Sequence, residues 1–228
     1  MTRNLPSCLG IALLFLIVAN THAQDWPDLK RFQMQNAEIG IAKAGEQRVV
    51  FMGNSITESW LSIRPDFFEG KPYVNRGISG QTTPQMLLRF RQDVINLKPA
   101  VVVILAGIND IAGNTGPTTI DEIANNIYSM AELARSHNIK VVLCSVLPAA
   151  EFTWNPDLKP ADKVIELNLL IKTYTERHNM GYVDYFSSMV NDSNGLITEL
   201  GSDSVHPNAA GYAIMEPLLE TVLTKVLE

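Results

Sequence analysis

Ala100-Val101-Val102-Val103-Ile104-Leu105 is the strongest strand signal in this chain. The run ends in Gly107-Ile108-Asn109-Asp110, where a glycine interrupts it and polar residues come next. A strand that is apolar at every position has both faces covered, as in the centre of a parallel sheet. The flanking segments are read against that central strand.

Upstream, Arg48 to Met52 reads as a first strand running into Gly53-Asn54-Ser55-Ile56-Thr57. Tyr73-Val74-Asn75 reads as a second, running into the segment Arg76 to Thr83. Pro84 suits the first turn of a helix, with Met86, Leu87, Phe90, Val94 and Ile95 at helical spacing. Before the first strand, Phe32, Ile39 and Ile41 suggest a helix from Trp26 to about Ala44, ended near Gly45.

Downstream, Thr119-Ile120-Asp121-Glu122 has capping-box spacing, and Ile120, Ile123, Ile127, Met130 and Leu133 mark one face of the helix it opens. Val141 to Val146 is a fourth strand, broken at Leu147-Pro148. A loop from Ala149 to Pro160 leads to a helix carrying Val164, Leu167, Leu170, Ile171 and Tyr174, which ends around His178-Asn179. Gly181 to Tyr185 is a fifth strand. A last helix starts at about Asn208, where Pro217 should impose a kink or a break.

Strands alternate with helices throughout, without internal repeats. The pattern predicts a five-stranded parallel sheet with helices on both faces, a three-layer α/β/α domain with right-handed crossovers. A (β/α)8 barrel needs more units than this chain supplies.

The chain has 228 residues, 46% hydrophobic and 18% charged, enough for one globular domain with a sizeable core. Its net charge of −6 is spread out, with no Lys/Arg stripe, which argues against nucleic acid as a partner. Arg3 precedes an apolar run from Leu9 to Ala19, shorter than the roughly 20 residues of a membrane-crossing helix. With Thr21-His22-Ala23 after it, residues 1–23 read as a signal peptide and 24–228 as the mature domain, exported to the periplasm or beyond without stable membrane insertion. Removing Cys8 leaves Cys144 alone, so no intramolecular disulfide is expected. Cys144 lies in an apolar strand and reads as a buried thiol.

In an open α/β sheet, ligands gather at the carboxyl ends of the strands. Ser55, the Gly77–Gly80 segment, Asn109 and the loop before His206 should all lie on that edge. Taken singly, each has a bland reading: Ser55, Gly80 and Asn109 as turn residues, Asp203 as a cap, His206 as an exposed loop histidine. Together they supply what acyl transfer requires. A histidine base needs an acceptor to fix its tautomer, which Asp203 can provide from three residues away; His206 could then take the proton of Ser55. The Ser55 and Gly80 backbone N–H groups and the Asn109 amide are candidate donors to an oxyanion.

Gly53-Asn54-Ser55, Asn75-x-Gly77-x-x-Gly80, Gly107-x-Asn109-Asp110 and Asp203-x-x-His206 resemble, in order and across essentially the whole mature chain, the four blocks of the SGNH hydrolases, also called GDSL-type esterases and lipases. The resemblance implies a flavodoxin-like fold and ester hydrolysis through an acyl-enzyme, with no metal or other cofactor. By position it implies Ser55 as nucleophile, His206 as base, Asp203 as its partner, and Ser55, Gly80 and Asn109 as the oxyanion hole. The chain departs from the usual Gly-Asp-Ser in having Asn54, which keeps an acceptor and loses a charge. The Gly-Asn-Ser-Ile-Thr variant is similar to bacterial acetylhydrolases and carbohydrate acetylesterases, which implies short acyl groups and a small-molecule or carbohydrate ester as substrate.

Other readings fit less well. The α/β-hydrolase elbow needs Gly-x-Ser-x-Gly, and Thr57 stands where its second glycine belongs. Gly77-x-x-Gly80 lacks the first glycine of a dinucleotide fingerprint. His137 and His178 fall far from His206 without ligand spacing. Within the same fold, lipase, lysophospholipase or thioesterase activity is an alternative, and so is an exported carbohydrate-binding protein that has lost turnover. The loops Ala112–Thr118 and Ala149–Pro160 are expected to flank the pocket; Phe152 and Trp154 could stack on a sugar or simply pack their loop onto the core.

Overall fold

The computed structural model describes residues 25–228. The signal-peptide reading therefore lies outside the described residues. In chain order the elements are α1 (Gln33–Ile39), β1 (Val49–Gly53), α2 (Ser55–Ile63), α3 (Pro65–Phe68), β2 (Tyr73–Gly77), α4 (Thr83–Asp93), β3 (Val101–Leu105), α5 (Ile108–Ile111), α6 (Ile120–Ser136), β4 (Lys140–Cys144), α7 (Ala161–His178), β5 (Gly181–Val183), α8 (Tyr185–Met189) and α9 (Ala209–Leu227).

All strand pairs are parallel, and the sheet order is β2-β1-β3-β4-β5. This is the flavodoxin-like order, whose direction of winding reverses beside β1 and opens a crevice at the strand ends. Every residue of β1 and of β3 is buried, as the unbroken apolar runs require of central strands. Register brings Gly53 level with both Gly77 and Leu105. The exits of β2, β1 and β3 therefore lie side by side at one height, and the segments leaving the three strands can meet.

The core extends from the sheet into the helices, through Met86 and Phe90 of α4, Ile123, Ile127 and Met130 of α6, Val164, Leu167 and Ile171 of α7, and Tyr212, Met215 and Leu219 of α9. Thr119 closes the expected capping box with Glu122 at the start of α6. Cys144 is buried and free, and burial pushes its thiol up to about 12, which keeps it protonated and inert.

Several expectations need correction. The helix foreseen from Trp26 to Ala44 shrinks to Gln33–Ile39, which buries none of its residues. Phe32 is buried just before it, Ile41 is exposed, and the chain turns at Gly40 with a positive φ of 61°. Trp26, Leu29, Met34, Ile39 and Ile41 stay exposed, so too little apolar surface is buried there to hold a longer helix. β5 stops at Val183, because the Asp184 side chain accepts from the Ser187 N–H and caps α8. Pro217 does not break α9, which runs on through it with Met215 and Leu219 buried on either side. Tertiary packing there outweighs the lost backbone bond.

Candidate active site

Ser55 is the first residue of α2, immediately after β1. The Asn54 side chain caps that helix by accepting the Ile56 N–H at 3.1 Å, so the residue that departs from the usual aspartate serves as a neutral cap. Gly53 is needed here for space and not for a left-handed turn. A Cβ on it would collide with Thr57 Oγ1 and fall 2.9 Å from the Leu105 carbonyl. A Cβ on Gly77 would collide with the Glu58 N–H, so the first turn of α2 rests directly on the end of β2. Asn75 reinforces that contact, donating to the Thr57 carbonyl at 2.5 Å and accepting the Gly77 N–H at 2.9 Å.

His206 and Asp203 sit in the loop before α9. Asp203 Oδ1 accepts the backbone N–H groups of Val205 and His206, both at 2.8 Å, while Oδ2 lies 2.8 Å from His206 Nδ1. One carboxylate thus holds the turn and faces the imidazole, uniting the two roles that its position suggested. Partial burial pushes this carboxyl up, but the bonds from the His206 and Val205 N–H groups and from the imidazole outweigh it and hold it below the usual carboxylate range. His206 Nε2 lies 2.9 Å from Ser55 Oγ. The loop is closed by the Ser202 N–H bonded to the His206 carbonyl at 2.8 Å, and Asn208 caps α9 through the N–H groups of Ala210 and Gly211.

Gly80 and Asn109 follow β2 and β3, the strands on either side of β1. Gly80 has a φ of 77°, a conformation that glycine adopts without strain, and a Cβ there would meet nothing within 4 Å. Space is therefore open beside its Cα. Asn109 belongs to the short helix α5 and takes no left-handed conformation; its Nδ2 donates one hydrogen to the Gln81 carbonyl at 3.0 Å, leaving the second free. Among the described residues, neither the Ser55 nor the Gly80 N–H donates to a protein acceptor.

The structure also recruits residues that the sequence did not single out. Asp110 accepts the Thr83 N–H at 2.9 Å and its hydroxyl at 2.6 Å, tying the exit of β3 to the start of α4. Burial pushes its carboxyl up to about 6 against the pull of those Thr83 bonds. Tyr212, in the second turn of α9, donates its hydroxyl to the Ile56 carbonyl at 2.7 Å. Trp60 stacks on Tyr212 with ring centroids 5.3 Å apart, and Arg64 pairs with Glu216 through two bonds of 2.9 Å. The serine helix and the helix behind the histidine are thereby clamped to one another. Only a pairing of distant segments could have revealed this.

Both expected flanking loops reach the edges of the site. Thr115 to Thr118 line a cavity of about 410 Å³ beside Asp110, and Ala150, Glu151 and Thr153 line one of about 520 Å³ that ends on Asp203. Phe152 is fully buried and anchors its loop to the core, so it cannot stack on a ligand. Trp154 packs against it at 5.0 Å and remains 53% exposed.

Residues 51–214 match the profile of the GDSL-like Lipase/Acylhydrolase family. The crystal structure of a Bacteroides fragilis protein provisionally classed as an acylhydrolase superposes with a TM-score of 0.88 at 49% identity, covering 90% of this chain and all of that one. Esterase TesA of Pseudomonas aeruginosa is 28% identical over 194 residues, 79% of this chain and 88% of its own. The uncharacterized lipoprotein YqeF of Bacillus subtilis is 34% identical over 98 residues, which is 41% of this chain and 40% of that protein's length.

Proposed function

The chain belongs to the GDSL-like lipase/acylhydrolase family of carboxylic ester hydrolases, and from that premise we propose that it cleaves short-acyl esters, acetyl above all, through an acyl-enzyme on Ser55. The observation that carries this reading is the continuous relay from Ser55 Oγ to His206 Nε2 at 2.9 Å and from His206 Nδ1 to Asp203 Oδ2 at 2.8 Å.

The order of those contacts sets the chemistry. His206 accepts the Ser55 proton as Oγ bonds to the ester carbonyl carbon. Asp203, held ionised by its backbone bonds, fixes the His206 tautomer and faces the imidazolium that forms. The Ser55 N–H, the Gly80 N–H and the free hydrogen of Asn109 receive the carbonyl oxygen as it becomes an oxyanion. Ser55 also begins α2, whose N-terminal dipole favours negative charge at that point. His206 then returns the proton to the departing alcohol, and water repeats the sequence to release the acid and regenerate Ser55.

Ser55 and Asn109 are each only 8% exposed, a narrow approach that suits a small acyl group. The Gly-Asn-Ser-Ile-Thr block supports the same choice, and a sugar or small alcohol is our reading of the acyl acceptor. We further place the working enzyme outside the cytoplasm, on the strength of the leader-like residues 1–23. No helix among the described residues is long and apolar enough to cross a membrane.

Rates on acetyl, butyryl and octanoyl p-nitrophenyl esters and on acetylated xylan test the substrate, with fluorophosphonate labelling to test the nucleophile. A steep fall with chain length and a phosphonylated Ser55 are expected. An octanoyl optimum would replace the acetyl reading with a lipase-type one, and an unlabelled Ser55 in folded protein would overturn the mechanism.

A further inference from the structure

Beneath the proposed site lies an ion pair that the acyl-transfer steps do not use. Arg89 and Asp93, one turn apart on α4, are both fully buried. A buried ion pair is seldom more stabilising than apolar residues of the same volume, so its presence calls for another reason. The geometry supplies one. Arg89 spreads its guanidinium over three partners: Nη1 donates to Asp93 Oδ2 at 3.1 Å, Nε to Gln81 Oε1 at 2.5 Å, and Nη2 to the Gly53 carbonyl at 3.0 Å. Asp93 is held from its other side by Asn36 Nδ2 at 2.7 Å.

Each contact leads to the site. Gly53 ends β1 two residues before Ser55. Gln81 comes directly after Gly80, and the backbone carbonyl of Gln81 is the acceptor that orients the Asn109 amide. A single planar group therefore touches the strand end that carries the serine and the segment that carries or aims the other two donors.

We infer that Arg89 is a positioning residue for the ester hydrolysis proposed above, setting the separation of Gly53 and Gln81 so that the Ser55, Gly80 and Asn109 donors converge on one oxygen. The inference rests on that functional reading. Its fork has fixed angles, which the single ammonium of a lysine cannot reproduce across three partners. Loss of convergence weakens contacts that exist only once the oxyanion has formed, so it lowers kcat and leaves KM in place.

The test uses Arg89→Lys and Gln81→Met, each made in the wild-type and in the Asn109→Ala protein, with kinetics on p-nitrophenyl acetate and thermal unfolding. Arg89→Lys keeps a cation beside Asp93 and loses the fork. Gln81→Met keeps the volume and the backbone carbonyl; it loses the acceptor for Arg89 and the side-chain bond to the Pro27 carbonyl. Each should lower kcat about tenfold or more with KM within about twofold, the scale of a misplaced oxyanion donor. In the Asn109→Ala background the same change should cost measurably less than in the wild type, because one of the three donors being aimed is gone and coupled residues do not add. Folded Gln81→Met protein with full kcat, or a loss undiminished in the Asn109→Ala background, overturns the inference. Should Arg89→Lys fail to fold, Gln81→Met decides alone. Hydrolysis that survives Ser55→Ala removes the hydrolase mechanism itself, whereas a dead Ser55→Ala protein beside a fully active Gln81→Met protein removes only the role of Arg89.

Discussion

The Tyr212 hydroxyl reaches the Ile56 carbonyl across 2.7 Å, joining the second turn of the helix behind the histidine to the first turn of the serine-bearing one. Both side chains are buried, so the bond is shielded from water. It sets the spacing between α2 and α9 on which the 2.9 Å approach of His206 to Ser55 depends. Tyr212→Phe keeps the ring stacked on Trp60 and removes only the bond. It should lower stability by about 1 kcal/mol, the net worth of one buried hydrogen bond, and reduce kcat several-fold. Denaturant unfolding and steady-state kinetics measure the two effects separately.

Asp203 bonds two backbone N–H groups through one oxygen and the imidazole through the other. Asp203→Asn preserves the oxygen that holds the turn but presents an amide or a mismatched acceptor to His206 Nδ1. The wrong tautomer should then face Ser55. We expect kcat to fall by roughly a hundredfold or more with KM little changed, as for loss of a group that acts in the transition state. A KM increase with kcat intact would assign Asp203 to binding instead.

Asn109 donates one amide hydrogen to Gln81, and among the described residues the other meets no protein acceptor. Asn109→Ala should cost roughly a hundredfold in kcat, the usual scale for one oxyanion donor. Asn109→Asp, isosteric and acceptor-only when ionised, should be at least as damaging. Equal kcat for wild type and Asn109→Ala would remove the residue from the oxyanion hole.

Asp110 is buried and accepts from Thr83, with its carboxyl pushed up to about 6 chiefly by desolvation. A raised pKa means that the folded state binds this proton more tightly than the unfolded chain does. Between the ordinary carboxylate value and about pH 6 the folded protein then holds more protons than the unfolded one, and stability falls as pH rises. That rise in pKa corresponds to a loss of up to about 3 kcal/mol across the window. Asp110→Asn keeps one acceptor for Thr83 and cannot ionise, so its stability should lack this decline. Parallel unfolding curves for the two proteins from pH 4 to 7 check it.

How much of this is legible in the sequence differs from element to element. The strands are legible because β1 and β3 are apolar at every position, a pattern that only a doubly covered strand explains. Ser55, Gly80, Asn109 and His206 stand out as candidates because each comes after a strand or before a helix where an α/β sheet exposes its edge. That Ser55 opens a helix is not, since Asn54 and Ser55 read equally well as turn residues; the cap bond to Ile56 decides between them. Gly53 looks locally like a turn glycine when the cause is the closeness of Thr57 and Leu105, and no local pattern reports a neighbour that arrives from β3. Arg89 and Asp93 look like the polar face of an amphipathic helix; their burial depends on Gln81 and Gly53 offering partners from elsewhere. Tyr212 is hidden for the same reason. Local chemistry shows where the site has to be, and long-range pairing determines what holds it.

Ser55→Ala is the decisive test of Ser55 as the acylated nucleophile. Ser55 is small and, among the described residues, its side chain bonds no partner other than His206, so the variant should fold with an unchanged circular dichroism spectrum and thermal transition. Its hydrolysis of p-nitrophenyl acetate should drop to the background of buffer. A folded Ser55→Ala protein that still turns over this ester would contradict the account.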